Sequence, residues 1–346
     1  MIGEASATGR RLTRAELESR RVLGAQAAEA GHGWRALVRG HLAASHVGRP
    51  ASDLDSVLNV VEQAIDAFAD GYEEAQRRVV RRHEAARREF IDDLLHGLGD
   101  AGQLSARAER FGLRLSRNHA VAVAEGPERY DETDPVPREV EAGLFTRFER
   151  RTVLFTTKDG RMVCIASADQ EDVLLHFSKR AYAATDGGQV ALGRPRPGVG
   201  GIGHSYQEAL NTLDVARRMG FEEPLLRAVD LLVFPVLARD RQALVDLVDS
   251  TLGPLEQARG GSRALIRTLA VYFDTGCVAT EAARRLALSV RALTYRLERV
   301  HALTGLSPAD PTQRYTLHTA VIGARLLEWP AGRRQQGRAG AADDRK

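Results

Sequence analysis

The side chains with the most specific chemistry lie between residues 274 and 305, which read DTGCVATEAARRLALSVRALTYRLERVHALTG. After Ser289, a good helix-capping residue, apolar residues recur every three or four positions and predict a helix over Val290–Thr304. A shorter helix, Thr280–Leu286, is predicted to precede it. The residues predicted to hold the two helices together are Ala283, Leu286, Leu293, Leu297 and Val300, with Val290 opening the stripe and Ala282 and Ala287 keeping the crossing close. This pattern is typical of a helix-turn-helix unit.

The opposite face of the second helix carries groups that can read a base pair. Arg291, Thr294 and Tyr295 lie near its start, where a helix in a major groove about 12 Å wide reaches the base edges. The arginines predicted to contact phosphates are Arg284, Arg285, Arg296 and Arg299. Seven arginines and three acidic residues give Ser262–Leu303 a charge of +4, against +3 for the whole chain. This local charge favours double-stranded DNA as a partner, and a plain three-helix bundle with solvated arginines is the alternative.

Two motifs, in a fixed order along the chain, resemble those of one bacterial family. The pieces are Leu192–Gly198 followed by Ser205-Tyr206-x-Glu208-Ala209 in the middle, and Ala283-x-x-Leu286, Tyr295-Arg296-Leu297-x-x-Val300 and Leu303-Thr304-Gly305 near the end. Over residues 105–328 the chain resembles the PucR/CdaR family of transcription regulators, which join a degenerate GGDEF-like domain to a C-terminal helix-turn-helix. The resemblance implies a signal-responsive regulator that binds specific DNA sequences.

The chain departs from this family at two places. The recognition helix usually opens with His-Arg-Asn-Thr, whereas the aligned residues here are Ser289, Val290, Arg291 and Ala292. The operator therefore cannot be inferred from relatives. The N-terminal helices also differ from the sensor domain of longer members, so the effector or signalling partner at that end is unknown.

The elements around these motifs predict a multidomain, mainly α chain with a central α+β domain. Residues 1–97 are predicted to form an N-terminal helical sensor or interaction domain with a linking helix. Its arginine-rich stretch, Glu73–Glu89, is either a solvated face or a dimer-spanning signalling helix. Residues 105–237 are predicted to form the non-catalytic GGDEF-like domain, and residues 240–328 the DNA-binding domain. Disorder is predicted for residues 1–12 and for the tail at 330–346.

The spacing of apolar residues predicts the strands and helices of the last two domains, because a period of two is typical of strands and a period of 3.6 of helices. Strands are predicted at 119–125, 152–156, 162–167 and 189–192, with a hairpin turn at Lys158–Arg161. Helices are predicted at 170–184, 205–219, 241–252, 262–274 and 316–329. Alternating strands and helices of this kind favour a compact α+β domain followed by a helical one.

Other patterns that resemble functional sites have structural explanations. Gly198–Gly203 fits the G-x-G-x-x-G pattern of dinucleotide sites, but Gly193–Pro197 separates it from the preceding strand. A structural loop is the stronger interpretation, with an anion site beside Arg194 and Arg196 as the alternative. The hairpin Thr157–Arg161 has one acidic residue, whereas a diguanylate cyclase needs paired carboxylates for Mg²⁺. No catalytic residue, metal site or cofactor is therefore predicted.

The composition is that of a cytoplasmic protein. Cys164 and Cys277 are the only cysteines, which excludes a disulfide framework, and no apolar run approaches the length of a membrane span. The expected partners are double-stranded DNA, further copies of the chain in a homodimer or higher homo-oligomer, and an unknown effector, with no membrane. A signalling scaffold is the alternative function, and a nucleotide-handling enzyme acting through the middle domain is a weaker one.

Overall fold

The computed structural model describes residues 11–33, 54–150, 152–258 and 261–329. Its contacts divide the chain into two compact units, Met1–Asp92 and Asp93–Lys346. The architecture is mainly α with one central sheet, which confirms the predicted fold class. The disorder predicted for residues 1–10 and for the tail lies outside the described residues.

The first unit contains α1 (Arg14–Glu29) and most of α2 (Leu54–His96). The two helices approach closely at Gly24, where an added Cβ would lie 2.1 Å from the carbonyl oxygen of Phe68. Leu12, which the sequence assigned to a disordered end, is buried in a small cluster with Val60 and Ala64 of α2. The side of α2 that carries Val60 and Ala64 is thus its packed face.

The arginine-rich stretch of α2 is solvated. Residues 76–86 are all exposed. Arg77 and Arg81 pair with Glu73 and Glu74, each across 2.9 Å, and the four side chains remain largely exposed. This exposure agrees with both interpretations of the stretch, the solvated face and the dimer-spanning helix.

The second unit contains a six-stranded sheet and ten helices among its described residues. The strands are β1 (Asn118–Glu125), β2 (Val153–Lys158), β3 (Arg161–Ser167), β4 (Gln189–Leu192), β5 (Arg196–Pro197) and β6 (Leu225–Arg227). The helices are α3 (Ala101–Arg110), α4 (Pro135–Arg147), α5 (Glu171–Ala184), α6 (Gly198–Met219), α7 (Val233–Ala238), α8 (Arg241–Leu252), α9 (Ser262–Asp274), α10 (Ala279–Arg285), α11 (Val290–Thr304) and α12 (Pro311–Leu326).

The sheet is mixed and has β1 at its centre. Its strand order is β2-β3-β1-β4-β6, with β5 paired to β1. β1 runs antiparallel to β3 and β4, with Val121 opposite Ile165, and β4 runs parallel to β6. Asp159 and Gly160 both have positive φ, at 51° and 82°, in the two-residue turn between β2 and β3. These angles suit a tight hairpin and confirm the predicted turn.

Helices cover both faces of the sheet. Ala120, Ala122 and Ala124 of β1 share one core cluster with residues of α4 and α5, including the fully buried Phe177. Val121 points to the other face because side chains alternate along a strand, and there α6 packs on β1 and β4. Both faces of β1 are therefore buried.

The boundaries of two helices differ from those predicted. α6 begins at Gly198 rather than at residue 205, so the glycine run is part of a helix and not a loop. An added Cβ on Gly201 would lie 2.9 Å from the backbone of Arg196, so close packing explains that glycine. α12 begins at Pro311 rather than at residue 316, because Asp310 caps it and proline is accepted in a first helical turn.

The two arginines beside the glycine run are held by a carboxylate of the protein itself. Arg194 Nη2 and Arg196 Nη2 donate to Glu208 Oε1 across 2.5 and 2.8 Å. Partial burial by itself raises the pKa of Glu208, but hydrogen bonds from Arg194 and Arg196 outweigh it and lower the pKa to about 2. The family-like motif residues thus form an internal ion pair that ties β5 and the segment before it to α6.

Replacing Glu208 with glutamine is expected to lower the free energy of unfolding at neutral pH by about 2–3 kcal/mol, because two arginines lose a charged acceptor. This difference should be full above the ordinary carboxyl pKa of 4.5 and shrink as the pH falls toward 2, since protonation then removes the same charge from the wild type. Urea unfolding at neutral and acidic pH measures both effects.

The matched control is Glu171→Gln, which breaks an ion pair with Arg227 across 2.9 Å between side chains 58% and 43% exposed. Exposed pairs contribute less than about 1 kcal/mol. Equal losses in the two variants would contradict a structural role for the Glu208 cluster.

Candidate nucleic-acid interface

Helices α8 to α12 pack around a core of their own. Four of the helices supply fully buried members: Val248 and Leu252 of α8, Leu269 of α9, Val300 of α11, and Leu317 and Ala320 of α12. Leu255, in the 3-10 turn after α8, is also fully buried there. α10 joins through a second, smaller cluster with α11. The arrangement holds α10 and α11 against a rigid base.

The turn between α10 and α11 is closed by two backbone hydrogen bonds. Ala287 N donates to Arg284 O across 3.1 Å, and Leu288 N donates to Ala283 O across 2.9 Å. This pairing is a Schellman motif, which needs a left-handed residue after the helix, and Ala287 takes that position with a φ of 54°. Ala287 is therefore an exposed turn residue and does not lie in the crossing where the sequence placed it.

Four of the five residues predicted for the helix-turn-helix core lie in the smaller cluster and the fifth lies in the main core. Ala283 and Leu293 are buried, and Leu286 and Leu297 are partly buried, together with the buried Ala282. Val300 is fully buried in the core formed with α8, α9 and α12. The close contact between the two helices is thus made by alanines on α10 and leucines on α11.

The buried stripe of α11 starts one turn later than predicted. Ser289 Oγ accepts a hydrogen bond from the N–H of Ala292 across 3.1 Å, as expected for an N-cap. Val290 directly follows the cap and is 44% exposed, so the expectation that it opens the buried stripe is wrong. The first buried position of α11 is Leu293, which packs with Ala282 and Ala283 of α10.

The three residues predicted to read bases share the solvent-facing side of α11. Arg291, Thr294 and Tyr295 are all exposed, and Tyr295 is 68% exposed. Thr294 Oγ1 donates to the carbonyl oxygen of Val290 across 3.0 Å, which leaves its lone pairs available as acceptors. The face therefore offers a guanidinium, a phenol and a hydroxyl within the first turns of one helix.

The arginines of α10 share one carboxylate. Arg284 Nη2 and Arg285 Nε donate to Glu281 Oε1 across 2.7 and 3.1 Å. The hydrogen bonds from Arg284 and then from Arg285 lower the pKa of Glu281 to about 2. Both arginines remain on the surface, with side chains 74% and 53% exposed. Their net charge is thus reduced by a neighbour on the same helix.

The arginines of α11 have two different environments. Arg296 is partly buried, and its Nη1 donates to Thr268 Oγ1 of α9 across 3.3 Å. Arg299 is exposed and makes no ion pair with another described residue. The structure therefore gives Arg299 a free guanidinium and gives Arg296 a contact that braces α11 against α9.

Sequence reasoning missed Glu281 and Thr268. Glu281 lies three and four residues before the arginines it holds, a spacing that pairs charges on one helix face and could have been detected. Thr268 is distant in sequence from Arg296 and gave no such signal, because only tertiary packing brings α9 beside α11.

Across the described part of the chain, no group of three or more His, Cys, Asp or Glu side chains is placed to hold a metal ion. Within the same residues, none of the helices has the length and apolarity needed to span a bilayer.

Comparison with known families identifies two segments. Residues 96–215 match the GGDEF-like domain, and residues 265–322 match the PucR C-terminal helix-turn-helix domain. The second match contains α10, α11 and most of α9 and α12. Both matches agree with the motifs that carry the resemblance.

Three proteins with similar sequences include two that are named as regulators and one uncharacterized protein. An uncharacterized protein of Mycobacterium tuberculosis is 32% identical over 151 residues, which are 43% of this chain and 36% of that protein. The purine catabolism regulatory protein of Bacillus subtilis is 35% identical over 79 residues, 23% and 15% of the two chains. The carbohydrate diacid regulator of Escherichia coli is 26% identical over 251 residues, 68% and 64% of the two chains. The chain thus matches only about a third of the mycobacterial protein's length.

The turn geometry leads to a prediction for Ala287. Valine at this position is expected to lower the free energy of unfolding by about 1–2 kcal/mol, because a β-branched side chain fits a left-handed backbone poorly. Glycine should be neutral or slightly stabilising. Thermal unfolding of the variants measures the change.

Ala302→Val on the exposed side of α11 is the control. It should lower the free energy of unfolding by only about 0.5 kcal/mol, because valine has a lower helix propensity than alanine. An Ala287→Val variant as stable as this control would show that the turn carries no backbone strain.

Proposed function

We propose that this chain, a member of the PucR/CdaR family because it joins a GGDEF-like domain to a PucR-type helix-turn-helix domain, is a cytoplasmic transcription regulator that binds specific double-stranded DNA. The observation that carries the proposal is the exposed face of α11. Its hydrogen-bonding groups, Arg291, Thr294 and Tyr295, point away from a core that fixes the helix on its other side.

In this proposal the arginines have two roles, contact with bases and contact with phosphates. Arg291 lies in the first turn of α11, where a side chain reaches base edges, and a bidentate contact to a guanine is its strongest option. Arg284, Arg285 and Arg299 are exposed and positioned to meet phosphates. Arg296 contributes charge while its contact with Thr268 keeps α11 in place. Phosphate contacts set affinity and base contacts set specificity.

The proposed domain division assigns the remaining functions. The helical domain at 1–97 receives the signal, the GGDEF-like domain at 105–237 transmits it, and the domain at 240–328 binds DNA. Two copies would place their α11 helices in half-sites about one DNA turn apart. An unidentified effector or partner acting on the first domain would change that spacing.

We assign no catalysis and no cofactor to the middle domain. Its hairpin turn presents Lys158, Asp159 and Arg161, without the paired carboxylates that hold Mg²⁺ in cyclases. Glu208 is occupied by two arginines. Incubation of the full chain with GTP and Mg²⁺ should therefore give no cyclic dinucleotide, and turnover would overturn this part of the proposal.

Arg291→Ala is expected to remove sequence preference, at about 1–3 kcal/mol per lost base contact. Arg285→Ala should weaken binding to all duplexes alike and reduce the slope of log K against log salt by about one unit. Anisotropy titrations at several salt concentrations, with a selected site and a scrambled duplex, separate the two effects.

Arg138→Ala removes the same charge from an exposed position on α4 and is the control. It should leave both the preference and the salt slope unchanged. Identical behaviour of the Arg291 and Arg285 variants would refute the division between base readout and phosphate contact.

Glu281→Gln is expected to strengthen binding to any duplex about three- to tenfold at low salt, because two exposed arginines lose the acid that neutralises them. Glu222→Gln changes the net charge equally in an exposed segment outside the helix-turn-helix and serves as the control. Equal effects in both variants would mean that only the net charge of the chain matters.

A further inference from the structure

The segment Ala228–Ala238 connects the sheet to the DNA-binding helices and is apolar on its inner side. It consists of one 3-10 turn followed by α7. Phe234 is buried with Val215 of α6 and Leu326 of α12, and its ring meets that of Phe221 edge to face at 5.9 Å. This packing fixes the segment between the two parts of the second unit.

The same segment is also apolar on its outer side. Val229, Leu232, Val233 and Val236 lie at intervals that bring them to one helical face, and they are 52%, 37%, 54% and 71% exposed. A helix that is hydrophobic all round is normally buried on all sides. We call these four residues the outer stripe, and its composition indicates that something covers it.

A shallow groove continues the outer stripe. It has a volume of about 630 Å³ and lies between Val236 and Leu237 on one side and Leu244 and Leu247 of α8 on the other. Val236 belongs to both features. The exposed valines therefore stand directly beside a recess that is lined by these leucines and also by Arg239, Asp240 and Arg241. Such a surface can offer both apolar and charged contacts to a second copy.

The charges around the outer stripe are balanced. Asp230, Arg239, Asp240 and Arg241 border it, and all four are exposed. Within the described residues none of them makes an ion pair, and Asp240 caps α8 through the N–H of Ala243. A border with two acids and two arginines favours neither an acidic nor a basic partner. Asp230 lies at the start of the stripe, whereas Arg239 and Arg241 follow its end, so an antiparallel second copy would bring opposite charges together at both ends.

We propose that the outer stripe and its groove form a self-association surface whose occupant is a second copy of this chain. In an isologous contact the exposed valines of one copy enter the recess of the other, and Asp230 at the start of the stripe faces the arginines at the far end of the partner's stripe. This inference rests on the proposed function, because a regulator that reads two half-sites needs two copies. The surface lies beside α12, so the pairing would set the distance between the two α11 helices.

Sedimentation velocity of the full chain over a range of concentrations tests the proposal. The wild type is expected to form dimers. Val236→Glu should raise the dissociation constant of the dimer by about tenfold or more, because a charge enters the apolar centre of the contact. Val233→Glu should act in the same way. Leu98→Glu, at an apolar residue 58% exposed and outside the segment, should leave the dissociation constant unchanged.

The outcomes distinguish this surface from other occupants and from the proposed function. A wild type that stays monomeric, or a Val236→Glu variant that dimerises as tightly as the wild type, overturns the inference. Circular dichroism checks folding, and the milder Val236→Ser provides a second variant for the same measurement. If the Val236→Glu monomer still binds duplex DNA at low salt, both proposals stand. If the wild-type dimer binds no DNA, the proposed function fails while the self-association surface stands.

Discussion

Burial of Leu293 and Val300 is the constraint on which the rest of the helix-turn-helix unit depends. A lone helix could rotate freely about its axis, but these two side chains fix one side of α11 to α10 and to the core formed with α8, α9 and α12. The side that remains in solvent is thereby determined, and it is the side with Arg291, Thr294 and Tyr295. The face that we propose for base readout is thus determined by packing on the opposite side of α11.

Charge acts on this geometry locally and not through the whole chain. A net charge of +3 in 346 residues attracts DNA weakly. The positive surface arises because arginines concentrate on α10 and α11 while acids there are few. Glu281 reduces this positive charge because it accepts hydrogen bonds from Arg284 and Arg285. Thr268 accepts a hydrogen bond from Arg296 and holds that guanidinium against α9. The two side chains therefore decide how much of the charge is available to a duplex.

Local signals made most elements predictable. β4, α8, α9 and α11 have the bounds predicted for them, since hydrophobic spacing and a cap such as Ser289 act within a few residues. α3 and α4 were not foreseen because their apolar patterns are short, and α4 opens with Pro-Val-Pro. Gly198–Gly203 was misjudged because only tertiary contact reveals why a helix there needs glycine. The candidate site follows the same rule, since the outward face was predictable and the exposure of Val290 was not.

The middle domain and the DNA-binding helices are joined by packing as well as by the chain. Arg218 of α6 donates a hydrogen bond to the carbonyl oxygen of Leu326 in α12, and Val215 packs beside it against Phe234. A shift of α6 on the sheet would therefore move α12, whose Leu317 and Ala320 share a core with Val300 of α11. Close-packed interfaces of this kind transmit small displacements, because they resist compression. In the proposed regulator, a signal that reaches the sheet would be carried to α11 through these packed contacts, and α7 would lie at the contact with the second copy.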